Sequence, residues 1–125
     1  MSESDGPIMK KSFVFGVRII NLYKIINKKY SEYTLAKQLL RCGTSIGANV
    51  REAQNAESKS DFIHKMGIAQ KETGEIIYWL ELLMAAGYLH EQEFKSIISD
   101  ANEIKKIIRS IILSSKKRPR KTNEQ

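Results

Sequence analysis

The sequence predicts an all-α protein, an antiparallel up-down-up-down four-helix bundle. Apolar residues recur at three- and four-residue spacing in four long segments, which is the pattern of amphipathic helices. The links between these segments are very short, so consecutive helices are expected to run antiparallel. No stretch shows the alternation typical of a β-strand, and no internal repeat is present. At 125 residues the chain is expected to form one domain with its own core.

The N-terminal part divides into a polar segment and a first helix. Residues 1–9 contain a Gly-Pro pair and are predicted to be disordered, and the bundle is predicted over residues 10–116. The first helix is expected from about Ser12 to Tyr30, with two adjoining apolar stripes. One stripe comprises Phe13, Gly16, Ile20, Tyr23 and Tyr30, and the other comprises Phe15, Ile19 and Ile26. Ser31 is placed to cap the helix that follows.

The second helix, expected over residues 33–56, is crowded with small residues in its second half. Gly43 and Gly47 each cost a helix roughly 1 kcal/mol relative to alanine. This cost is explained if another helix backbone passes close by, because glycine has no Cβ in the way. The apolar spacing also includes Cys42 and one amide, Asn49, which the pattern places in the core. We interpret this face as the central packing seam of the bundle, against the third helix.

The third helix, expected over residues 61–86, has the strongest periodicity in the chain. Its 4-3-4-3 spacing is that of left-handed helix packing. Ser58 or Ser60 can cap its start. Gly67 and Gly74 flank its apolar face and could receive the small residues of the second helix. The apolar seam consists of Phe62, Met66, Ala69, Thr73, Ile76, Leu80 and Leu83.

The fourth helix is expected over residues 91–116, after Gly87, which suits a left-handed cap at the end of the third. Acidic residues in its first turn and basic residues in its last turn match the helix dipole. Pro119 stops the helix, and residues 117–125 are predicted to form a basic mobile tail.

The net charge of +7 is unevenly placed. Residues 116–125 hold five basic side chains and one acidic side chain. A basic tail on a basic body favours polyanionic partners, RNA or DNA above all. The alternative is that these cations end a helix favourably and keep the protein soluble. The candidate nucleic-acid contacts are Lys24, Lys28, Lys29, Lys105, Lys106, Arg109, Lys116, Lys117, Arg118, Arg120 and Lys121.

The sequence offers no arrangement that indicates catalysis or a cofactor. A di-metal bundle needs two Glu-x-x-His motifs, and the one approximate match is Asp61-x-x-His64. Nucleophilic catalysis needs a base beside the nucleophile, and nothing in the sequence brings a histidine to Cys42. Phosphate-binding Gly-x-x-x-x-Gly-Lys loops are absent. We therefore predict a non-enzymatic protein without a metal or cofactor.

Several small and polar residues lie beside the predicted seam. The charged ones form either a solvated face with local ion pairs or a subunit interface where arginines meet carboxylates of the next subunit. Asn49 is either a satisfied core amide or a polar specifier of helix register. Trp79 lies at the edge of the seam, where aromatic residues indicate a core rim or an interface more often than base stacking. The candidate packing or interface residues are Gly43, Ser45, Gly47, Asn49, Arg51, Glu52, Glu72, Glu75 and Trp79.

Residues 45–53, Ser-Ile-Gly-Ala-Asn-Val-Arg-Glu-Ala, resemble the signature of the four-helix-bundle proteins encoded in bacterial 23S rRNA intervening sequences. The downstream run 61–83 is similar to that family's third helix, through Asp61-Phe62-Ile63, Ile68-Ala69, Glu72, Glu75 and Trp79-Leu80-x-Leu82-Leu83. Many relatives have Ala and Gly where this chain has Arg51 and Ala53. The resemblance spans residues 10–115 and implies a ring-like homopentamer. The accessory variability protein of diversity-generating retroelements is similar, and it is associated with nucleic acid and a reverse transcriptase.

Three hypotheses for function follow. The first is a homo-oligomeric protein, pentameric by resemblance, that binds nucleic acid through phosphate contacts. The second is an interaction scaffold that docks a protein such as a reverse transcriptase or a ribosome-associated factor. The third, an enzyme, would need a bound metal or a reactive Cys42. Residues 1–9 lack the apolar segment of a signal peptide, and no apolar run reaches the roughly 20 residues of a membrane span, so we expect a cytoplasmic protein without a membrane partner.

Overall fold

Four long helices make up the described chain. The computed structural model describes residues 6–117, in which no β-strand is present. The helices are α1 (Pro7–Tyr30), α2 (Thr34–Gln54), α3 (Lys59–Ala85) and α4 (Glu91–Lys117). Each helix packs against the next and α4 also contacts α1, so that α1 and α3 occupy opposite corners. The predicted all-α four-helix bundle is confirmed. Within residues 6–117, no helix is long and apolar enough to cross a membrane.

The first helix begins earlier than the sequence predicts. Gly6 has a φ of 83°, and Pro7 occupies the first turn of α1, where its fixed φ suits a helix and its missing N–H costs nothing. Ile8 and Met9 are buried in the core. The prediction of a disordered segment is therefore wrong for residues 7–9, because the Gly-Pro pair starts a helix here. Residues 1–5 and 118–125, which include most of the predicted tail, lie outside the described residues.

The helix α1 buries only one of its two predicted apolar stripes. The buried side chains are Phe15, Ile19, Leu22 and Ile26. In the other predicted stripe, Phe13, Ile20 and Tyr30 are exposed, and Gly16 and Tyr23 are half-buried. The second stripe is largely exposed, because a helix at the corner of a bundle turns only part of its circumference toward its neighbours.

The glycines of α2 allow a close approach to α1, not to α3 as predicted. A Cβ on Gly43 would lie 2.7 Å from two side-chain carbons of Ile19, and one on Gly47 would lie 3.3 Å from the backbone oxygen of Ser12. A Cβ on Gly67 or on Gly74 of α3 would meet no atom within 4 Å. The apolar spacing shows which residues share a face of α2. It does not show which neighbouring helix meets the glycines beside that face.

The turn between α1 and α2 uses different residues from those predicted. Ser31 ends α1 in a left-handed conformation (φ 53°, ψ 32°), and its N–H donates to the carbonyl oxygen of Asn27. It does not cap α2, which has no side-chain bond from its N-cap residue, Tyr33. The carboxylate of Glu32 instead accepts a hydrogen bond of 2.9 Å from the Leu35 N–H.

The ends of α3 match the prediction closely. The Ser58 hydroxyl accepts a hydrogen bond of 3.1 Å from the Asp61 N–H, which satisfies one of the free amide groups of the first turn. At the other end Gly87 has a φ of 89°. Its N–H donates to the oxygen of Met84, and the N–H of Tyr88 donates to that of Leu83. These two bonds form the left-handed helix ending for which glycine is favoured.

Candidate nucleic-acid interface

The second half of α4 carries a continuous cationic surface, which we call the α4 basic face. All five of its side chains are exposed, and they form a stripe beside the buried isoleucines of the same helix. At 3.6 residues per turn, they fall within about one third of the helix circumference. No Asp or Glu occurs in residues 104–117. The face comprises Lys105, Lys106, Arg109, Lys116 and Lys117.

The cations of the α4 basic face have no anionic partner within residues 6–117. The nearest carboxylates on α4 are engaged by α1 instead. Asp100 accepts a hydrogen bond of 2.7 Å from Arg18, and Glu103 pairs with Lys11. The helix thus separates its charges. Its first half uses carboxylates to hold α1, and the cations of its second half pair with no carboxylate of residues 6–117.

The lysines predicted on α1 form a separate group. Lys24, Lys28 and Lys29 are all exposed, and the Lys29 ammonium lies 5.2 Å from the ring centroid of Tyr30. The helices α1 and α4 are antiparallel, so this group lies near the beginning of α4. With a rise of 1.5 Å per residue, roughly 20–30 Å separates it from the α4 basic face. The structure therefore divides the predicted cations between two ends of the bundle. Arg118, Arg120 and Lys121 lie outside the described residues.

The charged residues predicted beside the seam form an ion-pair network between α2 and α3 of the same chain. Arg41 on α2 contacts Glu72 at 3.3 Å and Glu75 at 2.7 Å. The hydrogen bond from Arg41 lowers the pKa of Glu75, and the same bond raises the pKa of Arg41. The indole N–H of Trp79 donates to Glu75 at 3.4 Å. These residues fix the register of two neighbouring helices.

Cys42 adjoins this network and is fully buried. Burial, followed by its hydrogen bond with Glu75, raises the pKa of the thiol to about 12. Potential ligand atoms of Cys42, Glu72 and Glu75 lie within 4.8 Å of one another, a grouping that the sequence analysis missed because it depends on the register of α2 against α3. The Arg41 guanidinium contacts both carboxylates and the thiol keeps its proton. The arrangement therefore fits an ion pair better than a set of metal ligands.

The remaining predicted interface residues are mostly bound within the same chain. Asn49 is half-buried, so its placement in the core was wrong, and its amide donates to the Ser45 carbonyl at 2.9 Å. The Ser45 hydroxyl donates to the carbonyl of Arg41 at 2.6 Å. Glu52 pairs with Lys65 of α3 at 3.3 Å. Arg51 is exposed.

Two apolar surfaces remain open to solvent on opposite corners of the bundle. The α1 apolar face consists of Phe13, Val14, Val17 and Ile20, of which Phe13 and Val14 are more than half exposed. It borders a groove lined on the α2 side by Thr44, Gly47 and Ala48. The α3 apolar face consists of Tyr78, Trp79 and Leu82, with Tyr78 56% exposed and Trp79 half-buried. Large exposed apolar patches of this kind commonly mark interaction surfaces.

Comparison with protein families identifies the chain. The sequence profile of the 23S rRNA-intervening sequence protein family matches residues 4–110. The chain belongs to this family. The match covers α1, α2, α3 and most of α4, so that Lys105, Lys106 and Arg109 lie inside it and Lys116 and Lys117 lie beyond it.

A solved structure supports the same assignment to the 23S rRNA-intervening sequence protein family. The chain is 49% identical to a protein of unknown function from the S23 ribosomal protein family of Bacteroides thetaiotaomicron VPI-5482. The similarity covers 87% of this chain and 97% of the Bacteroides chain, with a TM-score of 0.86. A comparison with curated proteins gave no match. The resemblance found in residues 45–53 and 61–83 is thereby confirmed at the level of family and fold.

Proposed function

We propose that this member of the 23S rRNA-intervening sequence protein family is a non-enzymatic, homo-oligomeric protein of the cytoplasm that binds RNA or DNA. The observation that carries the proposal is the α4 basic face, whose five exposed cations have no partner among residues 6–117 and no carboxylate in their half of the helix. In the sequence this face continues into Arg118, Arg120 and Lys121.

Binding of this kind rests on the phosphate backbone. Lysine and arginine that neutralise phosphates release condensed counterions, and this gain does not depend on base sequence. Contacts to phosphates position a protein on nucleic acid but do not read its bases. The bound sequence is therefore expected to be unrestricted. Lys24, Lys28 and Lys29, at the other end of the bundle, form a second and independent contact region.

Self-association is supported by the positions of the two apolar faces. They lie on α1 and α3, which are diagonal in the bundle, and they differ in composition. Contact between two different surfaces of identical subunits is head-to-tail, and it closes into a ring where the rotation per subunit permits. A ring would cover both faces in every subunit. The family resemblance makes five the expected subunit number.

A salt titration tests the proposed nucleic-acid binding. We expect the logarithm of the association constant to fall linearly with the logarithm of salt concentration, by about 0.9 per phosphate neutralised on a duplex. In the triple variant Lys106→Gln/Arg109→Gln/Lys117→Gln, the magnitude of this slope should decrease by up to about 2.7. In a Lys24→Gln/Lys28→Gln variant the decrease should be smaller. Absence of binding at low salt, or a slope unchanged in the triple variant, would contradict the proposal.

An interaction scaffold is the second candidate, favoured by the α3 apolar face. Exposed tyrosine and tryptophan are enriched in protein interfaces, and Tyr78 and Trp79 adjoin each other at 5.7 Å between ring centroids. In this alternative the ring docks a protein such as a reverse transcriptase or a ribosome-associated factor. Recovery of a stoichiometric protein partner after nuclease treatment would favour it. Loss of all partners on nuclease treatment would exclude it.

A further inference from the structure

The α4 basic face lacks the side chains that single-stranded nucleic acids use. Residues 104–117 contain no Phe, Tyr, Trp or His. Binding of single strands without sequence preference commonly combines a cationic groove with aromatic rings on which successive bases stack. The exposed apolar side chain on this face is Leu113, and the one planar group is the guanidinium of Arg109. A strand with unpaired bases would therefore find phosphate contacts here but almost no stacking surface.

The exposed tyrosines lie elsewhere in the bundle. Tyr30 and Tyr33 belong to the turn between α1 and α2, and Tyr33 is 55% exposed. The hydroxyl of Tyr30 lies 3.5 Å from the carbonyl oxygen of Gly87, in the turn before α4. Tyr30 and Tyr33 are thus at the opposite end of the bundle from the α4 basic face, together with Lys28 and Lys29, and the exposed rings of Phe13 and Tyr78 lie on α1 and α3. None of these exposed rings belongs to the α4 basic face.

The α4 basic face also has neutral hydrogen-bond donors suited to phosphate oxygens. Ser110 and Ser114 line a shallow depression together with Lys106, Arg109 and Lys117. Hydroxyl contacts to phosphate are typical of groups that position a protein on a duplex backbone. From Lys105 to Lys117 the face extends about 18 Å along a straight helix. A rod-like duplex can follow a surface of this length without bending.

We propose that the α4 basic face binds double-stranded nucleic acid through its backbone, in preference to a single strand. The inference rests on the nucleic-acid binding proposed above and specifies the class of ligand. A duplex keeps its bases stacked inside and presents phosphates at higher density than a single strand. A surface with many cations and no aromatic ring matches that presentation. It recognises the backbone of RNA and DNA duplexes alike.

Counterion release sets the size of the expected preference. With five contacts, the logarithmic salt slope is about −4.5 for a duplex and about −3.5 for a single strand. If the two forms bind equally at 1 M salt, a difference of about 1 in slope corresponds to about tenfold tighter duplex binding at 0.1 M. The absence of base stacking on the face leaves nothing to offset this difference.

Fluorescence anisotropy with the purified full chain tests the inference. The probes are a DNA duplex and an RNA duplex of about 20 base pairs, and each of their separate strands, between about 50 and 200 mM salt. We expect both duplexes to bind about tenfold more tightly than their strands. The triple variant Lys106→Gln/Arg109→Gln/Lys117→Gln should abolish most of this preference, with its folding checked by circular dichroism. Ser110→Ala/Ser114→Ala should weaken duplex binding severalfold and preserve the salt slope.

The outcomes separate this inference from the proposed function. Single strands that bind as tightly as duplexes, with a steep salt slope, would overturn the duplex preference and leave nucleic-acid binding in place. The variant Tyr33→Ala is the matched control at the other end of the bundle. If it removes most of the binding while the triple variant does not, the α4 basic face is not the site. Failure of every probe to bind at about 50 mM salt would overturn both proposals.

Discussion

Gly43 of α2 lies so close to Ile19 of α1 that a Cβ on the glycine would come within 2.7 Å of both Cγ1 and Cγ2 of the isoleucine. It would also lie 2.9 Å from the Ile19 Cβ. A β-branched side chain has little freedom at χ1 in a helix, so Ile19 cannot turn away. The contact explains why a glycine occupies the middle of a long helix, and it sets the separation of α1 and α2.

The substitution Gly43→Ala is expected to destabilise the bundle. Overpacking of a core costs about 1–3 kcal/mol, and contacts under 3 Å to a side chain with a fixed χ1 belong in the upper part of that range, above the roughly 1 kcal/mol that alanine gains in helix propensity. Gly67→Ala on α3 is the matched control, because its Cβ would meet nothing within 4 Å, and it should stabilise by about 0.5–1 kcal/mol. Denaturant unfolding of the two variants measures both effects. Equal stabilisation by both would show that α1 and α2 are farther apart than described.

The pair between Arg41 and Glu75 predicts a dependence of stability on pH. The pKa of Glu75 is lowered from its ordinary value of 4.5, chiefly by the hydrogen bond from Arg41. The stabilisation is therefore complete above the unfolded pKa and is lost as pH falls through the lower folded pKa. Both side chains are more than one third exposed, so Arg41→Ala should cost only about 0.5–1 kcal/mol near neutral pH.

Unfolding experiments between pH 7 and pH 3 check the assignment of this pH dependence. The difference in stability between wild type and Arg41→Ala should shrink as the medium becomes acidic. Lys95→Ala is a suitable control, because Lys95 pairs with Glu91 on the surface of a single helix at 3.3 Å. If the difference in stability between wild type and Arg41→Ala stays constant down to pH 3, Arg41 does not lower the pKa of Glu75.

The buried thiol of Cys42 is expected to be unreactive in the folded protein. Its pKa is raised from 9.0 to about 12, and the nucleophilic form of cysteine is the thiolate. Labelling by iodoacetamide at mild alkaline pH should therefore follow global unfolding, with full reaction in denaturant. The folded state holds the proton of the Cys42 thiol more tightly than the unfolded state does. The thiol's contribution to stability should therefore decline as pH rises above about 9. Rapid labelling of the native protein would contradict the burial of Cys42.

The two apolar faces predict that one charged substitution on either face dissociates the oligomer. Val17→Lys on α1 and Leu82→Lys on α3 should each lower the subunit number, because a head-to-tail contact uses both faces once per interface. Leu113→Lys on α4 is the control, since Leu113 is 49% exposed and lies outside both faces. Size-exclusion chromatography with light scattering measures the mass. Dissociation by Val17→Lys alone would indicate a symmetric contact through α1 instead.

The helices themselves could be predicted from sequence because their signals are local. The apolar spacing of α3, the hydroxyl of Ser58 and the glycine at position 87 each specify structure within a few residues, and all three predictions are confirmed. Ser31 does not cap α2, because the carboxylate of Glu32, one residue later, accepts the hydrogen bond from the Leu35 N–H instead. The predicted start of α1, at about Ser12, was wrong because Pro7 suits both a loop and the first turn of a helix.

Relations between helices could not be read from spacing alone. The partner of Gly43 depends on which neighbour faces that side of α2, and the network of Arg41 with Glu75 depends on the register of two antiparallel helices. The apolar spacing placed Phe13 in a stripe of α1, but it did not show that this surface of the helix is open to solvent. The candidate nucleic-acid contacts likewise came from both α1 and α4, and the fold places these two sets of cations at different ends of the bundle.

Native mass spectrometry tests the central claim, a homo-oligomer that binds nucleic acid through the α4 basic face, most directly. Wild type and the triple variant Lys106→Gln/Arg109→Gln/Lys117→Gln would be purified in low salt without nuclease. We predict the same closed oligomer for both, five subunits by family resemblance, with additional nuclease-sensitive mass on the wild type alone. A wild type that is monomeric or free of nucleic acid, or a variant that retains the bound mass, would contradict the account.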